Sequence, residues 1–404
     1  MNIWYLSAYD QPKGQSSRTY DFCLELVRRG HQVTMFTNSY CHFTHVEYLD
    51  SHERWRIEQI DGIRVVWLRT VHYSGNGLRR GLNMLSNVRR SLQAARTLPD
   101  EPQVVIGPSV PLGTGWAASR IASLKNAAFV FEVRDVWPAA LVDLDGLSKS
   151  NPIFIFFALI EKYLYRKACR ISSALPFIRQ HVSDCGGDPN KVTWIPNGMN
   201  ILPFANYLSY DGGIGRPLVV MYVGGFGVVH DVLTIVRAAT ILQKAGNDSF
   251  RFIIVGDGIK KTACQREAAQ SKAKYLEFRD PVKKSEVPGV QMQADILIAA
   301  VPDSAAFRFG INLNKLGAYF ASGRPIVFAG NTPNDPVADA GAGLSVPAQN
   351  PEAMVHALQQ LLQMSPAERI ELGMRGRRYA ENALDMRGLA DRMERLLSDA
   401  VKDN

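Results

Sequence analysis

Short apolar runs alternate with amphipathic helical patterns along most of the chain. The runs NIWYLSA, HQVTMFT, QVVIGPS and AAFVFEV occur in the first half, and LVVMYVGG, RFIIVGDG, ADILIAAV and RPIVFAG follow Pro217. A helical pattern over about residues 17–29 separates the first two runs, and Gly30 ends it. Strands that alternate with helices predict parallel sheets covered by helices on both faces, with ligands beyond the carboxyl ends of the strands.

Residues 200–217 interrupt this pattern. Their sequence, NILPFANYLSYDGGIGRP, is poorly periodic and rich in Gly, Pro and Asn, as expected of a linker between domains. We therefore predict an α/β protein with two Rossmann-like domains, residues 1–200 and 201–384. Two such domains that face each other would form a cleft, which is a favoured place for a ligand.

The composition is that of a folded globular protein with anionic partners. Hydrophobic residues make up 46% of the 404 residues, charged residues make up 21%, and the net charge is +8. This charge favours nucleotides, acidic lipid headgroups or nucleic acid as partners. Nucleic acid is disfavoured, because the sequence has no zinc-finger spacing, RNP-like motif or dense basic tail.

Cysteine usage and hydropathy narrow the class further. The five cysteines include no CxxC pair, which fits a reducing cytosol and predicts neither a disulfide framework nor a structural zinc site. No apolar run approaches the roughly 18 residues of a membrane span. The first residues, MNIWYLSAYDQP, lack the basic start of a signal peptide. The sequence thus predicts a soluble or peripheral protein.

Three glycine-containing loops are candidates for phosphate binding. The sequence GGFG at 224–227 follows a predicted strand and precedes a helix from about Val232, so its backbone and the helix N-terminus could approach a phosphate. The sequence GDG at 256–258 and Gly14 in the first loop are similar. The alternative is that these glycines only form tight turns between strands and helices.

Two cations lie close to the predicted start of a helix over 316–321. Asn312 or Asn314 is the expected N-cap, Lys315 falls in the first turn, and Arg308 lies just before it. A cation at a helix N-terminus costs up to about 1 kcal/mol unless an anion binds there. The alternative is a solvated surface pair, but the neighbouring residues are mostly small or apolar, which favours an anion site.

Six motifs together resemble glycosyltransferase family 4. They are VRRGHQVT (27–34), FEVRDVWP (131–138), VTWIPNGMN (192–200), YVGGFG (222–227), IIVGDG (253–258) and FRFGINLNKLGAYFASGRPIV (307–327). The chain looks like the fucosamine-transferase-like branch of bacterial O-antigen and capsule enzymes. The resemblance implies the GT-B fold, an N-terminal acceptor domain, a C-terminal nucleotide-sugar donor domain, and a last helix at about 385–404 that packs back on the first domain.

The sequence departs from the wider family at the donor site. Most members carry an E-x7-E pattern whose second Glu holds the donor ribose, and here those positions are Phe307 and Lys315. They also carry an Arg and a Lys after the YVG strand, where this chain has Gly225 and His230. We interpret this as a relocation of charge, in which Arg308 and Lys315 stabilise the leaving diphosphate and His230 assists.

The resemblance extends to a full set of donor-site candidates, with the base expected near residues 279–282. The set comprises Gly14, Gly224, Gly225, His230, Gly256, Asp257, Arg279, Asp280, Val282, Arg308, Gly310, Asn312, Asn314, Lys315 and Leu316.

The segment FEVRDVWP supplies the acceptor-side candidates Glu132, Arg134, Asp135 and Trp137. A carboxylate at the carboxyl end of a strand faces the cleft in this architecture, so Asp135 is expected to orient the acceptor. Asp135 therefore joins Arg308 and Lys315 as a catalytic candidate. The alternative is that Asp135 caps the next turn and that Arg134 pairs with Glu132.

Two basic amphipathic segments are candidates for binding an anionic membrane surface, with core packing as the alternative. The segment 78–98 places an apolar stripe beside a row of arginines: Leu78, Leu82, Leu85, Val88, Leu92 and Ala95 beside Arg79, Arg80, Arg89, Arg90 and Arg96. The second segment joins the apolar residues 153–160 to a basic group: Lys162, Arg166, Lys167 and Arg170.

The resemblance implies a retaining glycosyltransferase of the hexosyltransferase type, and the cations near the donor site favour a metal-independent reaction. Such an enzyme would move a sugar from a nucleoside diphosphate to a lipid-linked saccharide in O-antigen or capsule biosynthesis, and the resemblance favours UDP with an N-acetylated amino sugar as the donor. The expected location is the cytoplasm, on the inner face of a bacterial membrane. No cofactor or metal is expected, since DLD at 143–145 lies in the acceptor domain and is only a formal match to a metal motif.

Two other functions remain open from the sequence. One is a nucleotide-sugar epimerase with the GT-B fold, which would act without an acceptor. The other is a non-catalytic nucleotide-sugar-binding partner in a polysaccharide assembly complex, which the loss of the Glu pair allows. Release of UDP only in the presence of acceptor separates the first from a transferase, and binding without turnover identifies the second.

Overall fold

The computed structural model describes residues 1–12, 18–41, 44–73, 75, 77–207, 210–271 and 274–404. Within these residues the chain forms two compact units. The first comprises Met1–Pro196 together with Met386–Asn404, and the second comprises Asn197–Asp385. Each unit is a sheet that is mostly parallel and has helices in its connections, as the sequence predicts.

The first unit is built from strands joined by helices. Its strands are β1 (Asn2–Leu6), β2 (Gln32–Asn38), β3 (Trp55–Ile60), β4 (Ile63–Leu68), β5 (Val104–Pro108), β6 (Ala128–Val133), β7 (Arg170–Ser173) and β8 (Val192–Trp194). Its helices are α1 (Arg18–Arg28), α2 (Leu78–Thr97), α3 (Leu112–Leu124), α4 (Ala139–Asp145), α5 (Pro152–Lys167), α6 (Arg179–Asp184) and α14 (Met386–Lys402).

Over the described residues, the sheet of this unit has eight strands in the order β3-β4-β2-β1-β5-β6-β7-β8. The central strands β1, β5 and β6 are almost entirely buried, which explains their continuous apolar sequences. The edge strand β3 runs antiparallel to β4, a departure from the parallel pattern that the sequence predicts. Asp61 and Gly62 join the two strands with φ of +50° and +80°, as a tight hairpin turn requires.

The second unit repeats the same architecture on a smaller sheet. Its strands are β9 (Leu218–Val223), β10 (Phe250–Val255), β11 (Leu276–Arg279), β12 (Ile296–Ala300), β13 (Ile326–Ala329) and β14 (Gly343–Val346). Its helices are α7 (Val232–Lys244), α8 (Lys261–Gln270), α9 (Val287–Gln291), α10 (Asn314–Ser322), α11 (Pro336–Asp339), α12 (Pro351–Gln363) and α13 (Pro366–Tyr379). Over the described residues the strand order is β11-β10-β9-β12-β13-β14, and all pairs are parallel.

The division between the units lies at residues 196 and 197, slightly before the segment 200–217 that the sequence suggests as a linker. That segment belongs to the second unit. Ile201 and Phe204 are buried in its core beside Phe320, and Arg216 forms an ion pair with the buried Asp295. Poor periodicity therefore marks irregular packed structure here, because a few anchoring side chains suffice to fix the segment.

The last helix belongs to the first unit. The buried face of α14 includes Leu389, Met393, Leu396 and Leu397, which join the same core as Phe22 of α1. The core of the first unit is thus completed by the end of the chain.

Helix α2 buries two asparagines and exposes the leucines of its first half. Asn83 and Asn87 are buried, whereas Leu78, Leu82 and Leu85 are exposed. Core packing therefore does not explain these three leucines. Buried hydrogen bonds account for the orientation, since the Asn87 side chain donates to Asn38 Oδ1 at 2.6 Å and accepts from Thr114 Oγ1 at 2.8 Å.

Among the described residues, no helix is both long enough and apolar enough to cross a membrane.

Candidate donor and acceptor sites

Two loops at the carboxyl ends of the neighbouring strands β9 and β10 pack backbone against backbone. The Gly224 N–H donates to Val255 O at 3.0 Å, and the Phe226 N–H donates to Asp257 O at 2.9 Å. Gly256 has a φ of +141°, and a Cβ there would lie 1.9 Å from Gly224 O. Local packing alone therefore requires glycine at position 256.

Gly225 and Gly227 have no such packing requirement. A Cβ at Gly225 would lie 3.9 Å from Asp257 O and 4.0 Å from His230 Cδ2, and one at Gly227 would meet nothing within 4 Å. Gly225 is also exposed. The backbone of this part of the loop is therefore open to a ligand. A tight turn alone would not explain glycine at these two positions.

Lys315 is the second residue of α10, and its side chain lies against this loop. Its Nζ donates to Tyr222 Oη and lies 4.1 Å from the centre of the Tyr222 ring. A Cβ on Gly224 would lie 2.7 Å from Nζ, so the absence of a side chain at 224 makes room for the ammonium. The Tyr222 hydroxyl in turn donates to Gly225 O at 2.6 Å. The lysine, the tyrosine and the glycine loop form one connected site.

No carboxylate among the described residues forms an ion pair or hydrogen bond with Lys315. Burial lowers the pKa of its ammonium to about 7. Burial and the nearby Lys315 also lower the pKa of His230 to about 4, so the imidazole is neutral at neutral pH. The buried His230 Nδ1 has no hydrogen-bond partner in the described structure. A cation that has lost much of its hydration and has no counter-charge is costly, and an anion would relieve that cost.

Arg308 differs from Lys315 in its surroundings. It is exposed and follows a 3-10 turn, Ala305–Phe307. Its Nη1 donates to Ala305 O at 2.5 Å, and its guanidinium lies 4.6 Å from the centre of the Phe309 ring. Lys315 is thus the less exposed of the two cations, and a diphosphate role for Arg308 stays a prediction.

The start of α10 differs from the sequence prediction. Its N-cap is Leu313, without a side-chain cap, so the prediction that Asn312 or Asn314 caps the helix is wrong. Both asparagines instead contact Asn197, whose backbone N–H donates to Asn312 Oδ1 at 3.1 Å and whose Nδ2 donates to Asn314 Oδ1 at 2.6 Å. The buried Asn312 Nδ2 has no partner among the described residues.

The residues suggested for base binding are engaged with neighbouring side chains. Arg279 donates from Nε to Glu277 at 2.7 Å and from Nη1 to Gln293 at 2.9 Å. Asp280 is exposed and accepts from Lys261 Nζ at 3.3 Å. The Arg279 carbonyl also accepts a hydrogen bond from the Gly256 N–H at 3.2 Å, and base binding at this strand end stays a prediction.

The remaining donor candidates serve the local backbone or the core. The exposed Asp257 accepts a hydrogen bond from the next backbone N–H, and Gly310 has a φ of +94°. Val282 packs at the edge of the core that contains Leu316. Gly14 lies outside the described residues.

Among the residues suggested for the acceptor, Glu132 is fully buried at the carboxyl end of β6. It accepts hydrogen bonds from Tyr5 Oη at 2.5 Å, Arg18 Nε at 2.7 Å and Arg134 Nε at 2.8 Å. Burial alone would raise its pKa, but Arg134 and Arg18 outweigh burial and hold the pKa at about 2. Arg134 also donates to Asp10 at 2.6 Å. The predicted pairing of Arg134 with Glu132 is present, and both residues act here as a charged framework.

Asp135 lies next to this framework but is not part of it. Its backbone is held by Ser109, whose hydroxyl donates to Asp135 O at 2.7 Å. Its carboxylate makes no hydrogen bond or ion pair with the described residues, and α4 has Pro138 as its N-cap, so Asp135 does not cap that helix. Asp135 is exposed, but the surrounding protein displaces part of the water around its carboxyl and raises its pKa. The positive charge of Arg134 opposes that shift.

Trp137 is half-buried on the loop after β6, and its ring meets Phe157 of α5 edge to face at 5.8 Å. Trp137 therefore joins the segment 131–138 to the apolar helix α5.

Sequence reasoning missed three residues of these sites. Tyr222 has the pattern of a core residue of β9, and Asn197 gives no signal of its own because its partners are distant in sequence. Asp10 could have been found, since it follows β1 and obeys the same strand-end argument that identified Asp135.

The comparisons with known proteins agree with this architecture. Residues 13–198 match the family described as Glycosyl transferase 4-like domain, and residues 217–364 match the family described as Glycosyl transferases group 1. No curated protein sequence matches the chain.

Solved structures share the fold at low sequence identity. A sucrose-phosphate synthase from Thermosynechococcus elongatus has a TM-score of 0.75 at 16% identity, with 100% of both chains covered. The Anabaena protein HepE in complex with UDP-glucose has a TM-score of 0.68 at 12% identity, covering 98% of this chain and 99% of that one. The E. coli trehalose-6-phosphate protein bound with UDP-2-fluoro glucose has a TM-score of 0.73 at 11% identity, covering 100% and 99%.

Proposed function

Because this chain is a glycosyltransferase of the GT-B type, we propose that it moves a sugar from a nucleoside diphosphate to a lipid-linked saccharide in surface polysaccharide biosynthesis. The favoured donor is a UDP-sugar such as a UDP-linked N-acetylated amino sugar. The observation that carries the proposal is Lys315, a partly buried ammonium with no carboxylate partner among the described residues, set between Tyr222 and the Gly224 backbone. A diphosphate is the anion that would neutralise it.

The choice of nucleotide is supported by the solved structures of similar fold. HepE binds UDP-glucose and the E. coli protein binds UDP-2-fluoro glucose, so UDP is the first nucleotide to test. The open backbone at Gly225 and the N-terminus of α10 suit a phosphate, because both present N–H groups to an anion.

We assign the following roles in the reaction. The bond between the sugar C1 and the phosphate oxygen breaks, and the acceptor hydroxyl attacks the same face, which retains the anomeric configuration. The acceptor proton passes to the departing phosphate oxygen. Lys315 becomes fully protonated beside the diphosphate and stabilises its growing charge without a metal ion, while the neutral His230 contributes a hydrogen bond. Asp135 orients the acceptor.

A lipid-linked acceptor requires access to a membrane surface, and the first unit supports this. Helices α2 and α5 both pack against α3. On α5, Ile153, Ile155, Phe156 and Leu159 are exposed together with basic residues toward the end of the helix. The exposed leucines of α2 are similarly flanked by arginines. Apolar side chains beside cations suit an anionic bilayer surface.

The donor is tested by thermal shift and calorimetry of the full chain against UDP-, GDP- and dTDP-sugars. We expect stabilisation by UDP-sugars, and loss of that stabilisation in Lys315→Met. The matched control is Lys244→Met, which removes an exposed lysine at the end of α7. Equal shifts with all three nucleotides, or unchanged binding by Lys315→Met, would contradict the donor assignment. UDP release that needs no acceptor would contradict transfer.

A further inference from the structure

Three metal-ligating side chains meet in the first unit, outside the donor and acceptor sites. Glu161 lies on α5, His181 lies on α6, and Cys185 follows α6 directly. One ligand atom from each lies within 4.8 Å of the others. We propose that these three side chains bind a divalent, thiophilic metal ion, with Zn²⁺ as the best fit, and that this ion joins α5 to α6.

The geometry at His181 favours an ion over a network of hydrogen bonds alone. Nε2 lies 2.7 Å from Glu161 Oε1 and 3.7 Å from Cys185 Sγ, so two partners approach the same ring nitrogen. One imidazole nitrogen carries either one hydrogen or one lone pair and cannot bond well to both partners. A single ion bonded to Nε2 can accept all three donors at once.

The distance between His181 Nε2 and Cys185 Sγ suits a tetrahedral centre. With Zn–N of about 2.0 Å and Zn–S of about 2.3 Å, the two donors lie roughly 3.5 Å apart, close to the 3.7 Å between Nε2 and Sγ. The Glu161 oxygen has to move away from Nε2 by about 0.5 Å to reach its own tetrahedral position. Nitrogen, sulfur and carboxylate ligands together select Zn²⁺ over Mg²⁺ or Ca²⁺, which prefer oxygen ligands.

The surroundings hold these ligands in place. Tyr165, one turn after Glu161, hydrogen-bonds the Glu161 carboxylate, and its ring meets the His181 ring edge to face at 5.8 Å. A Cβ on Gly187 would lie 2.9 Å from Tyr165 Cβ, so the chain after Cys185 runs directly against α5. Outer contacts of this kind orient metal ligands. A buried carboxylate–imidazole pair would explain Glu161 and His181, but not the position of Cys185.

Cobalt substitution tests the proposal. The full-length protein is stripped with a chelator under reducing conditions and titrated with Co²⁺ alone. We expect one Co²⁺ per chain, with the visible bands of a tetrahedral ion and a thiolate charge-transfer band, and we expect Zn²⁺ to displace it. Cys185→Ser should remove the charge-transfer band, and Glu161→Gln should lower the Co²⁺ affinity at least tenfold.

The matched control is Cys169→Ser, which removes another thiol of the same unit and should leave both sets of bands unchanged. Tyr165→Phe keeps all three ligands and should bind Co²⁺ about 10- to 100-fold more weakly, as expected for loss of an outer contact. If the wild-type chain gives no tetrahedral Co²⁺ spectrum, the proposal is overturned, whatever the variants show. A charge-transfer band that persists in Cys185→Ser overturns it as well.

Discussion

At the scale of single residues, the charge of Lys315 links ligand binding to the chemistry. Its ammonium lies between Tyr222 and Gly224 and meets no carboxylate among the described residues. Loss of a charge-assisted hydrogen bond costs about 1.5–3 kcal/mol, so Lys315→Met should lower kcat/KM about 10- to 150-fold. Because the leaving-group charge grows in the transition state, kcat should fall as well. Initial rates of UDP release measure both constants, and unchanged constants would mean that Lys315 does not contact the diphosphate.

Lys315 should favour catalysis but lower the stability of the ligand-free fold, and the loss of stability should depend on pH. The folded-state pKa of Lys315 is about 7, against 10.5 for an unperturbed lysine. The ligand-free fold therefore disfavours the ammonium, and this penalty is complete below pH 7 and disappears as the pH approaches 10.5. Lys315→Met should raise the ligand-free Tm more at pH 6 than at pH 9.5. The same change in Tm at both pH values would show that the lysine is solvated.

Asp135 provides a separate test of the acceptor side. Asp135→Asn keeps the shape of the side chain and removes its charge, so donor affinity should stay near wild type while the rate of transfer falls at least tenfold. Calorimetry with UDP and initial rates with acceptor measure the two effects. A parallel loss of donor affinity would assign Asp135 a structural role or a place in the donor site. Asp248→Asn, which removes an exposed carboxylate of the second unit, is a suitable charge control.

Sequence reasoning identified Lys315 because a cation beside a helix start stood out in an apolar stretch. It could not separate Lys315 from Arg308, since their difference comes from tertiary packing. Tyr222 and Gly224 enclose one cation, and a 3-10 turn leaves the other on an exposed loop. The N-cap error has a similar cause, because Asn312 and Asn314 gain hydrogen bonds to Asn197 that outweigh a local cap.

At the scale of elements, α2 makes the membrane proposal testable without disturbing the core. Leu82 and Leu85 are exposed, so replacing both with Ser should leave the Tm nearly unchanged. The wild-type chain should pellet with anionic liposomes at low salt and dissociate as salt screens the attraction, and the double variant should bind more weakly. Ile57→Ser, which alters an exposed apolar residue of β3, is the matched control. Equal binding to neutral liposomes would contradict the electrostatic part of the proposal.

The sequence predicted the extent of α2 closely but could not determine which face is buried. Periodicity shows where apolar residues gather on a helix, and burial normally follows. Here Asn83 and Asn87 face inward because Thr70, Asn38 and Thr114 satisfy their amides. Such partners come from other elements, so no local pattern reports them.

At the scale of the whole molecule, α14 is expected to be essential to the first unit. Its leucines and its two methionines complete the core around α1, and each buried side chain contributes about 1.5–3 kcal/mol. The free energy of unfolding of a typical domain is about 5–15 kcal/mol, so deletion of residues 386–404 should remove most of the stability of the first unit. Limited proteolysis should then cleave the first unit and spare Asn197–Asp385. Resistance of both units would show that α14 is dispensable.

A matched pair of point variants refines this test. Leu396→Ala should cost about 2–5 kcal/mol of unfolding free energy, whereas Arg395→Ala, on the exposed face, should change it by less than about 0.5 kcal/mol.

The two-unit α/β organisation was the part of the fold most open to sequence reasoning, since every central strand is a continuous apolar run. The edge hairpin β3–β4 and the division at residue 196 could not be predicted from the sequence, for different reasons. The hairpin signal is only an Asp-Gly pair, and the irregular stretch after the division is anchored by Ile201 and Phe204 rather than left as a free linker.

The position of α14 in the first unit also affects when that unit can finish folding during translation. The first unit is translated early, but its core lacks one side until Met386–Lys402 has been synthesised. At roughly 5–20 residues per second, translation of the intervening Asn197–Asp385 takes on the order of ten seconds or more. The nascent first unit must keep an apolar surface exposed throughout that delay, whereas the second unit has its entire sequence available as soon as it emerges. The part of the protein that is made first is thus the part that finishes folding last.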